Sequence, residues 1–182
     1  MTLFVTRHGE THLNRMNRVC GVTESELTDK GRLQARRLAE NLLKHRAEYK
    51  IKYMYVSPIK RARDTSQFIE KALGLTAVIE PRLHEFNFGT MEGIACTDPV
   101  FIEKRRNPYA RFEGGESMFS AAQRIYNLID DIKARHSTAN ENVLFVCHGT
   151  VGRIIDTYFT NMSSEYFVTY QIKNCEIRHY EL

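Results

Sequence analysis

The segment Thr6-Arg7-His8-Gly9-Glu10-Thr11 follows directly on the apolar run Leu3-Phe4-Val5, which sets an arginine and a histidine at the carboxyl end of the first expected strand. Far downstream, Val143-Leu144-Phe145-Val146-Cys147 ends the same way, in His148-Gly149. Open α/β sheets bind ligands outside the carboxyl ends of their strands. As parallel neighbours, the two runs would turn both imidazoles and an arginine toward one pocket, a set suited to a phosphoryl group. An imidazole is largely neutral near pH 7, so one ring nitrogen of His8 can attack phosphorus without prior deprotonation, provided the other is held in a fixed tautomer. Arg7 and Arg61 are the expected phosphate clamp, because a planar guanidinium matches phosphate oxygens bidentately and keeps its charge. His148 would donate to the transferring group, or carry positive charge beside it.

These side chains need elements to hold them. Residues 2 to 6 read as a buried strand, followed by a polar loop from His12 to Glu26. Thr28 caps a helix with an apolar stripe of Leu33, Ala35, Leu38, Ala39, Leu42 and Leu43. Lys52 to Val56 is the next strand. Ser57-Pro58 then caps a helix to Leu73, with Pro at its first position and Gly74 just past its end, so that free helix N–H groups add to the anion site at Arg61. Thr76 to Ile79 is a short strand. From Pro81 to Glu116 the chain is Gly-rich and weakly periodic, with one short helix at Val100 to Arg105, and reads as a functional loop. Ser117 to His136 is a long helix with Phe119, Ala122, Ile125, Leu128, Ile129 and Ile132 at helical spacing. Val143 to Cys147 and a helix from Val151 to Phe159 follow, then Phe167 to Ile172 and Glu176 to Tyr180 as edge strands or a hairpin. Strands alternating with helices predict a three-layer α/β/α architecture with a mostly parallel central sheet, and 182 residues suit one domain spanning 1–182.

Composition excludes other classes. Twenty-six basic against 22 acidic residues leave a formal +4, spread along the chain. That surplus suits a small anionic, phosphorylated metabolite and is too diffuse for nucleic acid. Cys20, Cys96, Cys147 and Cys175 show neither C-x-x-C pairing nor zinc-like spacing, which points to reduced thiols in a cytoplasmic protein. No stretch is long and apolar enough for a bilayer, so no membrane partner is expected. The strand-forming C-terminus leaves a homodimer open.

Arg7-His8-Gly9-Glu10-Thr11, with Asn14 three residues on, resembles the signature of the histidine phosphatase superfamily in its phosphoglycerate-mutase branch. Ser57-Pro58-x-x-Arg61-Ala62-x-x-Thr65, Leu83-x-Glu85-x-x-Phe88-Gly89-x-x-Glu92-Gly93, Gly115-Glu116-Ser117 and His148-Gly149 resemble the later blocks, in order. The resemblance implies a phosphohistidine at His8, a second catalytic histidine at His148, a polar contact from Asn14, and the phosphoglycerate-mutase-like fold. A departing alkoxide needs a proton. Another branch places an Asp after the late histidine. Here Gly149-Thr150 follows, so Glu85, which matches the donor of the mutase branch, is the candidate acid, with Glu10 and Glu92 as weaker alternatives. Thr150 is expected to touch substrate.

Phosphatase and mutase share the transfer to His8 and differ in what accepts the phosphoryl group next. Asn14-Arg15-x-Asn17-Arg18-Val19-Cys20-Gly21 resembles the mutase segment around a substrate carboxylate, which makes Cys20 and Gly21 candidate substrate contacts. Against the mutase stand Phe88 where an aromatic hydroxyl is usual, Cys96 where a lysine is, and a short stretch between Glu85 and His148. Arg105-Arg106 either imitates the mutases' paired arginines or is a solvated helix end. The favoured reading is a metal-independent phosphomonoesterase without cofactor. The alternative is a phosphoglycerate mutase, for which 2,3-bisphosphoglycerate would be the cofactor. A metal site built from His8, His148 and Glu85 is disfavoured by two neighbouring arginines, and a noncatalytic phospho-ligand module by the filling of every catalytic position. Phe86, Phe88, Tyr109 and Phe112 would wall the pocket or form the core of a lid.

Overall fold

A computed structural model describes residues 1–136 and 141–182. Its frame is a five-stranded sheet of β1 (Thr2–Arg7), β2 (Ile51–Val56), β3 (Ala77–Ile79), β4 (Asn142–Cys147) and β5 (Ile177–Glu181) in the order β3-β2-β4-β1-β5. The first four are mutually parallel, and β5 closes one edge antiparallel to β1. Successive strand residues face opposite sides, and each side has its own core. Phe4, Met54, Val56, Leu144 and Val146 pack under α2 (Asp29–Lys44) and α4 (Lys60–Leu73). Leu3, Val5, Tyr55, Val143 and Phe145 pack under α6 (Met118–His136) and α7 (Gly149–Phe159). This is the expected α/β/α layering with a mostly parallel sheet.

Register decides the site. Arg7 pairs with Cys147 across β1 and β4, and Val56 pairs with Val146 across β2 and β4. The next residue of each strand therefore comes out on one line, with His8 N donating to Cys147 O at 3.1 Å and Ser57 N to Val146 O at 3.1 Å. His8, His148 and Ser57 emerge side by side.

Several expected elements shift. The 12–26 loop contains a short helix, α1 (His12–Arg15), closed by a capping box between Thr11 and Asn14. A further turn of helix, α3 (Arg46–Tyr49), precedes β2. The helix predicted from Ser57-Pro58 begins at Lys60, with Ile59 extended at its N-cap, so Pro58 is not its first residue. Ser57 lies ahead of the first turn, where its hydroxyl faces His148 and accepts from Ile59 N at 3.3 Å. Gly74 does end that helix, at φ +68° where only glycine is unstrained. Within 81–116 the helix is α5 (Pro99–Arg106). Phe167–Ile172 is not a strand. Ser163 accepts from Tyr166 N at 3.2 Å and opens α8 (Ser164–Thr169), so local capping overrides alternation. Leu33, Leu43 and Phe119 stay exposed at the margins of their stripes.

Candidate active site

Each ring nitrogen of His8 meets a partner of known character. Nδ1 lies 2.7 Å from Gly9 O, which can only accept, so Nδ1 carries the proton. Nε2 receives the Nε–H of Arg61 at 3.1 Å, a group that can only donate, so Nε2 holds the free lone pair. Burial, then the charges of Arg61 and Arg7, push this imidazole well below its ordinary pKa, so it is neutral near pH 7. His8 is 2% exposed and His148 fully buried, with ring centroids 5.1 Å apart. His148 Nε2 lies 2.6 Å from Ser57 Oγ, while its Nδ1 has no partner among the described residues. Burial and the same arginines hold His148 neutral too.

Arg61 is wholly buried. Besides His8 it donates from Nη1 to Thr23 O at 2.9 Å and from Nη2 to Gly21 O at 2.6 Å, which ties the 20–23 loop to α4. The helix N–H at Lys60 goes to Glu24 Oε1, not to an open anion site. Arg7 donates from Nη1 to Ile172 O at 3.1 Å, and its buried Nε has no partner among the described residues. Unpaired buried donors are rare in finished structures. Arg7 Nε and the unpartnered Nδ1 of His148 are such exceptions, and both belong to this site.

A cavity of about 290 Å³ is walled in part by Arg7, Asn14, Cys20, Glu85 and Thr150. Glu85 Oε1 accepts from Phe86 N at 2.8 Å and Val151 N at 3.2 Å, and Oε2 from Thr150 N at 3.0 Å, so the first turn of α7 orients this carboxylate. Asn14 Oδ1 is spent on Thr11 N at 3.2 Å, leaving Nδ2 as its remaining donor. Burial pushes the Cys20 thiol up, keeping it protonated.

Of the nine residues expected at the site, Arg7, Asn14, Cys20, Glu85 and Thr150 reach the cavity wall, whereas His8, Arg61 and His148 are buried and do not line it. Gly21 does not reach it. Its N–H goes to Glu92 Oε2 at 2.9 Å, its carbonyl to Arg61, and a Cβ there would collide with Phe86 O and Glu92 Oε1. The weaker acid candidates are accounted for by structure. Glu92 accepts from Gly21, Val22 and Phe88 N–H groups, and Glu10 pairs with Lys30 at 2.8 Å and with Thr28. Phe86, Phe88, Phe101 and Phe112 form one aromatic cluster, of which Phe88 and Phe101 also face the cavity, whereas Tyr109 is 77% exposed against Phe119. Arg105 enters the wall while Arg106 points to solvent, so the pair is not used as a pair. Among the described residues, no cluster of three or more His, Cys, Asp or Glu has metal-holding geometry.

Sequence reasoning missed the contacts of three residues. Ser57 sets the His148 ring, Asn174 donates to His8 O at 2.8 Å and lines the cavity, and Arg153 comes in from α7. Ser57 and Arg153 carried a faint signal, lying one residue past a strand and on the helix that follows His148. Asn174 carried none.

Fold and register thus set a neutral imidazole beside two guanidinium groups at the carboxyl ends of parallel strands. The sequence profile of the histidine phosphatase superfamily (branch 1) matches residues 3–182, and the chain belongs to that superfamily. It is 34% identical over 173 residues to the metal-independent phosphoserine phosphatase of Arabidopsis thaliana, covering 89% of this chain and 70% of that one. It is 35% identical over 162 residues to phosphoglycerate mutase-like protein 4 of the same plant, covering 83% and 67%. A mycobacterial glucosyl-3-phosphoglycerate phosphatase shares the fold at a TM-score of 0.84 and 22% identity, over 98% of this chain and 88% of that one. The expected family and class of enzyme hold. Among the described residues, no helix is long and apolar enough to cross a membrane.

Proposed function

We propose that the protein hydrolyses small phosphomonoesters through a phosphohistidine at His8, without a metal or other cofactor, on phosphorylated metabolites of the cytoplasm. The observation that carries this reading is the His8 hydrogen-bond pair, which leaves the lone pair on Nε2, the nitrogen beside Arg61. An entering phosphoryl group takes over the Nε–H of Arg61, and its oxygens meet Arg7, Arg61 and Asn14 Nδ2. Nε2 then forms the bond to phosphorus as the ester oxygen leaves. The Ser57 hydroxyl donates to Nε2 of His148, which puts the ring proton on Nδ1, the atom with no other partner. That proton is then available to the equatorial oxygens as charge spreads over them. Glu85 delivers the proton to the leaving alkoxide, and the carboxylate so formed draws a proton from the water that attacks phosphohistidine. Four unpaired thiols fit a reducing compartment.

The test is Glu85→Gln. General acid catalysis is worth about 10²–10⁴-fold where the leaving group is basic, so kcat on an alkyl phosphate falls by about that factor while p-nitrophenyl phosphate, a good leaving group, is turned over within about tenfold of wild type. Equal losses on both would move the donor elsewhere.

A further inference from the structure

His8 is also held through its backbone, by side chains that do not touch its ring. The chain leaves β1 for α1 through two successive peptide units, His8-Gly9 and Gly9-Glu10. In the first, His8 O accepts from Asn174 Nδ2 at 2.8 Å and Gly9 N donates to Thr65 Oγ1 at 3.1 Å. In the second, Gly9 O is the acceptor 2.7 Å from His8 Nδ1, and Glu10 N donates to Gln34 Oε1 at 2.8 Å. Among the described residues neither Gly9 O nor Glu10 N has another hydrogen-bond partner. Gln34 is brought there by α2. A Cβ at Gly9 would collide with the backbone of Gly31, and one at Gly31 with the backbone of Glu10, so the first turn of α2 lies directly on the nucleophile loop. Gln34 follows Gly31 by three residues and falls on the same helix face.

Two groups keep the proton on Nδ1 in the free enzyme, Gly9 O and the Nε–H of Arg61. An entering phosphoryl group draws Arg61 away, which leaves Gly9 O to select the tautomer. As the bond from Nε2 to phosphorus forms and the bond from phosphorus to the ester oxygen breaks, Nδ1 keeps its proton and the ring takes up a positive charge. Burial, then Arg61 and Arg7, oppose that charge, whereas the hydrogen bond to Gly9 favours it. Hydrogen bonds from a charged donor are roughly twice as strong as neutral ones. A carbonyl also becomes a better acceptor when the N–H of its own amide is engaged, and Gly9 O and Glu10 N–H belong to one amide. We infer that Gln34 is a positioning residue for the phosphohistidine step: by accepting from Glu10 N–H it aims and polarises Gly9 O toward His8 Nδ1, and so supports the cationic ring from the far side of the peptide. The inference rests on His8 being phosphorylated at Nε2.

The two half-reactions separate this role from general support of the fold. The ring gains charge when it is phosphorylated and loses it when water displaces it from phosphorus, so a weaker acceptor at Gly9 slows the first step and spares the second. Rapid quenching with saturating ³²P-labelled p-nitrophenyl phosphate gives both rate constants. Gln34→Leu removes the acceptor and keeps a side chain of similar size. Gln34 is half-buried at the edge of an open cavity of about 440 Å³ shared with Arg37 and Tyr49, so the replacement has room. Phosphorylation of His8 is expected to fall by about tenfold, the scale of part of one charge-assisted hydrogen bond, with hydrolysis of the phosphoenzyme unchanged or faster and less label at steady state. Gln34→Glu keeps the acceptor oxygen and is expected to phosphorylate within about threefold of wild type. Gln34→Ala repeats the comparison where the leucine variant does not fold. Unchanged phosphorylation on loss of the acceptor, an equal fall in both steps, or a Gln34→Glu protein as slow as Gln34→Leu would overturn the inference and leave the phosphatase reading intact. A wild-type enzyme that forms no acid-labile label would overturn the phosphohistidine reading and the inference with it.

Discussion

Arg61→Met separates the two jobs proposed for one side chain, holding the 20–23 loop and binding the phosphoryl group. The substitution keeps an aliphatic stem and removes every N–H, which strips the partner from two buried acceptors, His8 Nε2 at 3.1 Å and Gly21 O at 2.6 Å, and from the partly exposed Thr23 O at 2.9 Å. Each acceptor left unpaired away from water costs about 1–3 kcal/mol, so the two buried ones come to about 2–6 kcal/mol against a total stability of about 5–15 kcal/mol. For a chain of this size 1 kcal/mol moves Tm by about 2–4 °C. Even the low end therefore predicts a fall of about 4–8 °C in a calorimetric or fluorescence melt. Arg7→Met is the comparison, since Arg7 Nη1 supports a single carbonyl, that of Ile172, and its Nε supports nothing among the described residues. It is expected to lose phosphatase activity as completely, with the smaller Tm change. An Arg61→Met protein melting within about 2 °C of wild type, or an Arg7→Met protein falling as far, would refute the view that Arg61 holds the 20–23 loop as well as the phosphoryl group.

Two further outcomes follow from the same contacts. Burial first, and then the neighbouring arginines, depress both His8 and His148 below the ordinary imidazole value, so the unfolded chain binds protons near pH 6.5 that the folded one refuses. Their contribution to stability is complete above about pH 6.5 and is lost as pH falls toward the folded values, so Tm should drop between pH 7.5 and pH 5.5. The drop should shrink in His8→Gln, and an unchanged one would contradict the assignment. Gly21→Ala puts a methyl against Phe86 O and Glu92 Oε1. It is expected to reduce kcat/KM by about tenfold or more and to lower Tm, since overpacking costs about 1–3 kcal/mol. Wild-type kinetics and melting in that variant would show the loop to be tolerant.

The layering and the alignment of the two histidines were legible because each of two apolar strand runs leads into a histidine followed by glycine. Parallel pairing of Arg7 with Cys147 then needs no further information. Local capping was legible at Thr28, which accepts from Gly31 N while its hydroxyl also donates to Glu10. It misled at Ser57, where the hydroxyl serves another strand's histidine, and at Phe167–Ile172, where an alternating pattern yields to the Ser163 cap. Gly21 carried a family signature whose physical cause, close approach to Glu92 and Phe86, lies some seventy residues away and has no local trace. Arg105 and Arg106 look alike in the sequence, and only the orientation of α5 turns one toward the cavity.

The central claim is a phosphoryl bond to His8 Nε2. Brief reaction with a phosphate ester carrying ³²P, followed by quenching in denaturant, tests it most directly. Wild type should retain label that survives alkali and is released by acid, and His8→Ala should retain none. Normal labelling of His8→Ala, or label on wild type that resists acid, would contradict the account.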